Sequence, residues 1–173
     1  MDVPSSTLDD LETIPEGKVA VWSRRSLLAG LTAILVAAAA KLLGGRTDRV
    51  GASGGGYVLG LTYASVSRAG LDVPWHVELR HAGGFPGDTV TLAITGTYFD
   101  IYETQGFHPT PSDETRDGDV LYLSFSKPPG DTLVVDYDAY IQPISQQGRS
   151  GRLSVVVDHR DVVSVDFTTR LMP

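Results

Sequence analysis

The stretch VSVDFTTRL, residues 163–171, decides the fold class of this 173-residue chain. Its apolar residues Val163, Val165 and Phe167 alternate with polar residues, so the pattern has a period of two. A period of two is the signature of a β-strand with one buried face, because successive side chains of a strand point to opposite sides. This stretch therefore predicts an antiparallel strand with one core face and one solvent face.

The same alternation recurs along the chain from Tyr57 onward, and turn residues separate the runs. Two of the turns have the sequence P-G-D-T, at 86–89 and 129–132, and Pro-Gly pairs favour type II turns. No amphipathic helical stretch interrupts the runs. Seven or eight short strands predict an all-β, single, antiparallel, immunoglobulin-like β-sandwich, with Trp75 packed in its core. The runs are 57–67, 75–80, 89–95, 120–126, 133–141, 153–157 and 163–171, with an eighth short strand expected around 98–103.

The P-G-D-T units also carry a resemblance to a class of domains. A P-G-D-T sequence that leads into an apolar strand is similar to the strand entries of bacterial cell-surface repeat domains of immunoglobulin or fibronectin type. The resemblance covers residues 57–173 loosely. It implies a surface-exposed adhesive or structural module, and it brings no catalytic residues with it.

The first third of the chain is predicted to contain a targeting and membrane-anchoring segment rather than a folded domain. Residues 1–22 are polar and acidic and are expected to form a disordered cytoplasmic tail. Residues 23–43 are expected to form a signal or anchor helix, since the run from Leu27 to Ala40 is uncharged. Residues 44–56, rich in glycine, are expected to form a flexible linker to a β-sandwich at 57–173.

The residues Ser23, Arg24 and Arg25 precede the alanine-rich run, and this arrangement resembles a bacterial twin-arginine export signal. The alternative is a plain signal-anchor helix that obeys the positive-inside rule. Both interpretations leave the N-terminus in the cytoplasm and export the rest of the chain. Ala38-Ala39-Ala40 offers a cleavage site, whereas Leu42 and Leu43 favour a retained single-pass anchor, so a secreted form stays an alternative.

Composition excludes several functional classes. The chain has no cysteine, which rules out disulfides and thiol chemistry. Its net charge is −7, and residues 57–173 hold fifteen acids against eight bases, which argues against nucleic-acid binding. No cofactor and no metal site is predicted. G-A-S-G-G at 51–55 matches the G-x-S-x-G pattern of hydrolases, but no strand and helix are predicted to flank it, as that chemistry requires.

The segment 98–111 is the strongest candidate for a binding surface. A connection rich in aromatic side chains presents an exposed apolar patch, and such patches mark partner surfaces. The alternative is that these rings continue a strand into the core. Tyr140 is a weaker candidate for the same surface. The predicted partner-binding residues are Tyr98, Phe99, Tyr102, Phe107, His108 and Tyr140.

Carboxylates provide two further candidates. The acidic stretch 112–119 is either a solvated turn or a calcium site, since Ca²⁺ takes six to eight oxygen ligands. Asp136 and Asp138 lie on the outward face of one predicted strand and are candidates for acid–base chemistry. The sequence thus predicts a non-catalytic, membrane-tethered binding or accessory module that contacts a partner protein at the cell envelope. The alternative is a small envelope hydrolase that uses paired carboxylates.

Overall fold

A computed structural model describes residues 17–39, 44–103 and 106–172 of the chain. The chain divides into two compact units, Met1–Leu43 and Gly44–Pro173. The first contains helix α1, Lys18–Ala39. The second is built almost entirely from β-strands and one short 3₁₀ helix.

Helix α1 has 22 residues, and none of its side chains is buried. At about 1.5 Å per residue it extends roughly 33 Å, enough to cross the ~30 Å hydrocarbon layer of a bilayer. It is long and apolar enough to cross a membrane or to serve as a signal sequence. The helix begins at Lys18, so the expectation of a disordered tail is wrong for residues 18–22. No glycine or proline interrupts the chain between Gly17 and Gly30. Residues 1–16 and 40–43 lie outside the described part.

The second unit holds twelve described strands. They are β1 Arg46–Gly54, β2 Tyr57–Arg68, β3 Asp72–Val73, β4 Trp75–His81, β5 Thr89–Thr95, β6 Phe107–His108, β7 Asp113–Asp117, β8 Val120–Ser126, β9 Thr132–Tyr137, β10 Ala139–Tyr140, β11 Arg149–Val157 and β12 Arg160–Met172. The 3₁₀ helix Gly96–Ile101 follows β5. All seven principal runs of the sequence contain strands, which confirms the all-β prediction for this unit.

Ten strands form one mixed, curled sheet in the order β6-β9-β4-β2-β12-β11-β5-β8-β7, with β1 paired to β2. Strands β3 and β10 form a separate two-stranded sheet. Strand β2 pairs with β4 along residues 57–63 and with β12 at residues 66–68. The pairing of β2 with β12 is parallel, so the prediction of a purely antiparallel sheet is wrong. A long strand that changes its partner part-way along allows this, and alternation alone carries no information about strand direction.

Strand β1 replaces the predicted flexible linker. The whole of β1, residues 46–54, pairs antiparallel with residues 57–66 of β2, so the linker prediction is wrong for this stretch. Gly55 and Gly56 join the two strands, and both adopt positive φ, +58° and +84°. Two successive positive φ values define the type I′ turn that matches the twist of a two-residue hairpin.

Two other local predictions are also wrong. The eighth strand expected around 98–103 is the 3₁₀ helix, followed by a single bridge between Tyr102 and Ile141. The acidic stretch forms the edge strand β7, which is exposed at every position. Five successive charged or polar residues, D-E-T-R-D, suit such an edge, because charges discourage pairing with another chain.

The core consists of the inward residues of the large sheet, and Trp75 lies in it with 1% of its surface exposed. In β12 the predicted inward residues Val163, Val165 and Phe167 are buried, while the residues between them are exposed. The alternation therefore predicts the correct face of this strand. Burial of these apolar faces is the main favourable term in folding.

The turn between β11 and β12 contains two non-glycine residues with strained, positive φ angles. Asp158 and His159 occupy its two turn positions with φ of +49° and +61°. A Cβ is disfavoured there, whereas glycine is not. We expect His159→Gly to raise the free energy of unfolding by about 0.5–1 kcal/mol, part of the gain being offset by a more flexible unfolded chain. Denaturant titration measures it. The control Asp161→Gly, within β12, should lower stability instead.

Candidate functional site

A cleft of about 800 Å³ opens beside the 3₁₀ helix, β6 and β7. It is the candidate binding site because aromatic rings and several charged side chains meet there. The 3₁₀ helix and the residues after it supply one wall, and β7 supplies the other. We call this the aromatic cleft. Its aromatic residues are Phe99, Tyr102, Phe107 and Tyr137, and its charged residues and histidine are Asp100, Glu103, His108, Asp113, Glu114 and Arg116.

The aromatic rings of the cleft pack against one another and against the core. The Tyr137 ring lies 4.9 Å from the Phe99 ring and 4.7 Å from the Phe107 ring, centroid to centroid. Trp75 meets Phe99, Phe107 and Tyr137 edge-on from below, at 5.5–6.3 Å. Aromatic pairs at such distances stabilise a cluster beyond the area they bury. The floor of the cleft is therefore a firm aromatic layer continuous with the core.

The rim of the cleft is acidic. Asp100, Glu103, Asp113 and Glu114 are all exposed, and Arg116 is the cation among the lining residues. The Arg116 guanidinium lies over Gly96, where an added Cβ would stand within 3.0 Å of it. Glycine at position 96 thus leaves room for this side chain. Carboxylates around a π-rich floor favour a cationic ligand, because aromatic faces also attract cations.

A chain of buried hydroxyl groups fixes the 3₁₀ helix to the sheet. The Tyr98 hydroxyl lies 2.8 Å from the Tyr102 hydroxyl and 2.8 Å from Thr169 Oγ1. Thr169 Oγ1 in turn donates to the carbonyl oxygen of Ala64 at 2.6 Å. Since a carbonyl only accepts and each hydroxyl carries one proton, the donors run from Tyr102 to Tyr98, then to Thr169, then to Ala64.

Burial controls the ionisation of these tyrosines. Desolvation raises the pKa of Tyr98 far above its ordinary value, and the neighbouring Tyr102 adds to the shift. Desolvation likewise raises the pKa of Tyr102. Both hydroxyls therefore stay protonated throughout the physiological range and act as hydrogen-bonding groups that hold the wall of the cleft.

The structure brings four of the six predicted partner-binding residues to the cleft: Phe99, Tyr102, Phe107 and His108. The expected exposed aromatic patch is nevertheless wrong, because Tyr102 and Phe107 are buried and only Phe99 is half-buried. Tyr98 is fully buried beneath the cleft and is not among its lining residues. Ordering an irregular connection costs conformational entropy, and burying its large apolar rings offsets that cost.

The last two predicted partner-binding residues, His108 and Tyr140, differ in their position relative to the cleft. His108 is exposed and lines the cleft, with Nε2 3.1 Å from Asp138 Oδ2. Tyr140 is half-buried on β10, and it is not among the residues that line the cleft.

The paired carboxylates, Asp136 on β9 and Asp138 just after it, do not line the cleft, although His108, the partner of Asp138, does. Asp136 Oδ1 is 2.6 Å from His76 Nδ1, and Asp138 is held by His108. Neither aspartate is among the lining residues of the aromatic cleft. Each carboxylate therefore has its own histidine partner on an exposed surface, and the two do not share a pocket.

The described part of the chain contains no group of side chains arranged to bind a metal ion. There, no group of three or more histidine, aspartate or glutamate side chains is arranged to hold an ion. In the acidic stretch, Asp113 and Glu114 line the aromatic cleft, whereas Asp117 lines a separate depression near His159. Strand β7 thus distributes these carboxylates between two surfaces.

The predicted export residues lie within helix α1. Ser23, Arg24 and Arg25 are all exposed on the helix, and the Ser23 hydroxyl donates to the carbonyl of Ala20 at 2.9 Å. The possible cleavage site ends at Ala40, and Leu42 and Leu43 follow it; these three residues lie outside the described part of the chain.

Several residues of the cleft are not predicted as binding residues by the sequence. Asp100 and Glu103 lie within the predicted segment 98–111, but they are not among the predicted partner-binding residues, since isolated acidic residues in a connection carry no specific signal. Arg116 and Tyr137 come from β7 and β9, which are distant in sequence from the 3₁₀ helix. The alternation of β9 predicts that Tyr137 faces inward. No comparable pattern indicates that Arg116 lies at the cleft.

No protein-family model and no curated protein matches this chain.

The hydroxyl chain predicts a pH-dependent effect on stability. Tyr98→Phe removes the acceptor of the buried Tyr102 hydroxyl and should lower the free energy of unfolding by about 1–2 kcal/mol at pH 7. Because the folded pKa of Tyr98 is raised, the unfolded wild-type chain releases this proton above about pH 10 while the folded chain keeps it. Wild-type stability then falls as the pH rises, whereas the variant has no proton to lose at this position.

The gap between the two proteins should therefore narrow above pH 10, by up to about 1.4 kcal/mol per pH unit. Denaturant titrations at several pH values, followed by Trp75 fluorescence in a Trp22→Phe background, measure this gap. Tyr122→Phe, a change on the outward face of β8, is the matched control. A gap that stays constant from pH 8 to 11 would contradict the assignment.

Proposed function

We propose that this chain is an exported, membrane-anchored binding domain of the cell envelope, and that its aromatic cleft receives a cationic segment of a partner protein. The domain acts without catalysis, as a binding or accessory module. Helix α1 is its single membrane anchor, and the β unit lies outside the cytoplasm.

The acidic rim over an aromatic floor is the observation that carries this proposal. Four exposed carboxylates, at Asp100, Glu103, Asp113 and Glu114, surround rings that are held rigidly by the core. A lysine or arginine side chain of a partner gains both ionic and cation–π attraction in such a place. Rigid aromatic anchors also lose little entropy on binding.

The order of the strands supports an immunoglobulin-like sandwich. One half of the large sheet contains β2, β4 and β9, and the other contains β12, β11, β5 and β8. In chain order these are seven strands whose first, second and fifth members group together. The constant-type immunoglobulin sheets group the first, second, fourth and fifth strands against the third, sixth and seventh. The present order differs in that the fourth strand, β8, joins the third, β5.

The anchor is supported by the length and composition of α1. The helix is long and apolar enough for a span. Arg24 and Arg25, its seventh and eighth residues, lie in its N-terminal half, on the side where the positive-inside rule places cytoplasmic charges. The sequence Ser23-Arg24-Arg25 also fits the proposed twin-arginine route. That route exports proteins that have already folded, so the β unit would fold in the cytoplasm before export.

The cleft makes a direct prediction about partner binding. When the intact chain is purified in mild detergent from its native membrane, mass spectrometry should identify a companion in stoichiometric amount. The double variant Asp113→Asn/Glu114→Gln should retain at least about five-fold less of that companion, because two rim charges are lost. Raising the salt concentration should weaken the wild-type complex in the same direction.

The matched control is Asp158→Asn/Asp161→Asn, which removes two exposed charges outside the cleft. It should retain the companion as the wild type does. Equal retention by all three proteins, or a wild-type chain that arrives alone, would contradict the proposed use of the cleft.

The export route has its own test. Arg24→Lys/Arg25→Lys keeps both charges but removes the pair that resembles the twin-arginine signal. Export should be abolished, as judged by protection of the β unit from protease added outside the cytoplasmic membrane. Arg46→Lys/Arg49→Lys is the control with the same chemical change on β1. If the first variant is still exported, α1 is a plain signal anchor.

A further inference from the structure

Four arginines lie together at one end of the β unit, which we call the tether end. Val66 on β2 pairs with Arg46 on β1 and with Arg170 on β12. Arg68 is the last residue of β2, and Arg149 on β11 pairs with Thr169, the neighbour of Arg170. Residues paired across strands lie about 5 Å apart, so the four positions cluster within a small region.

These arginines differ from three other arginines of the large sheet. Arg49, Arg80 and Arg152 form ion pairs with Glu78, Asp131 and Asp166, at 2.7–3.0 Å. All four arginines of the tether end are exposed, and within residues 44–103 and 106–172 none of them forms an ion pair. Asp48 on β1 and Asp72 on β3 are the nearest carboxylates along the chain from Arg46 and Arg68, and two carboxylates against four arginines leave the cluster net positive.

Exposed apolar side chains accompany the arginines. Leu71, just after β2, has 47% of its surface exposed, and Ile144, before β11, has 81% exposed. The backbone connects their loops, since the Ile141 amide donates to the Leu71 carbonyl at 3.0 Å. Basic residues beside isolated large aliphatic ones are the composition of protein surfaces that lie at a lipid interface.

The covalent chain limits where this end can go. Helix α1 ends at Ala39 and β1 begins at Arg46, so six residues separate them. A fully extended chain of this length reaches at most about 25 Å. When α1 spans a bilayer, the point where the chain enters the β unit therefore stays near the lipid headgroups.

We propose that the tether end binds the surface of an anionic lipid bilayer. The arginines contact the headgroup phosphates, and Leu71 and Ile144 enter the interface. Each arginine near an anionic surface strengthens such binding by a factor of about five. The acidic excess of the rest of the unit is repelled by the same surface, so the domain is held in one orientation. This inference rests on the membrane anchor of the proposed function, but not on the aromatic cleft.

A single fluorophore tests the proposal, because the chain has no cysteine of its own. The full chain with Gln147→Cys carries the label in the exposed loop before Arg149. It is placed in nanodiscs of phosphatidylcholine alone or with about one-third phosphatidylglycerol, and a headgroup-attached nitroxide quenches nearby labels. We expect strong quenching in the anionic discs, weak quenching in the neutral ones, and loss of the difference at high salt.

The double variant Arg68→Gln/Arg170→Gln should shift the equilibrium away from the bilayer by about 25-fold. Lys127→Gln/Arg160→Gln removes two exposed cations elsewhere and should leave the quenching unchanged. A label at Gly130→Cys, in the turn between β8 and β9, should stay unquenched. At Gly130 an added Cβ meets nothing within 4 Å.

Quenching that is equal in both lipids, or that both double variants reduce equally, would overturn the proposal. So would stronger quenching at position 130 than at position 147. A chain that does not co-elute with the nanodiscs would overturn the anchor together with this inference. Co-elution with lipid-independent quenching would overturn this inference alone and leave the proposed function standing.

Discussion

The chain of buried hydroxyls from Tyr102 through Tyr98 and Thr169 to the Ala64 carbonyl is the constraint on which the candidate site depends. It ends at β2 close to the place where this strand leaves β4 and pairs with β12. A buried polar group without a partner is costly, so none of these hydroxyls can move alone. The 3₁₀ helix is thereby fixed to the one part of the sheet where the strand pairing is parallel.

This constraint explains why the aromatic segment is buried rather than exposed. The residues after β5 leave the sheet, and their backbone gains few ladder hydrogen bonds. Tyr98 and Ile101 instead enter the core, while Phe99 packs on Tyr137 and on Trp75. What remains accessible is the cleft above these rings. The charged residues of the same segment, Asp100 and Glu103, lie at the surface because the rings point inward.

The sequence allowed the strands with strict alternation to be predicted, including the inward face of β12. It did not reveal β1, since Thr47, Asp48 and Gly51 do not alternate in hydrophobicity, although Gly55-Gly56 is a recognised hairpin signal. Alternation specifies which face of a strand is buried but not which strand lies alongside it. It therefore could not predict the parallel pairing of β2 with β12 or which strands contribute residues to the cleft. Arg116 reaches the cleft from β7, which forms a short hairpin with β8; the local pattern can indicate that hairpin but not that it lies beside the 3₁₀ helix.

The net charge of −7 conceals how the charges are arranged. On the outward faces of the strands, arginines and carboxylates neutralise one another, as in Arg152 with Asp166. The Thr132 hydroxyl and Arg80 hold the pKa of Asp131 below its ordinary value, so that pair stays ionised in mild acid. Such exposed pairs add little stability, because water screens them. Their larger effect is to cancel the local field on those faces. The carboxylates at the rim of the aromatic cleft and the arginines at the tether end are not cancelled in this way. A field divided in this way can orient a tethered domain and select a cationic partner without any change of shape.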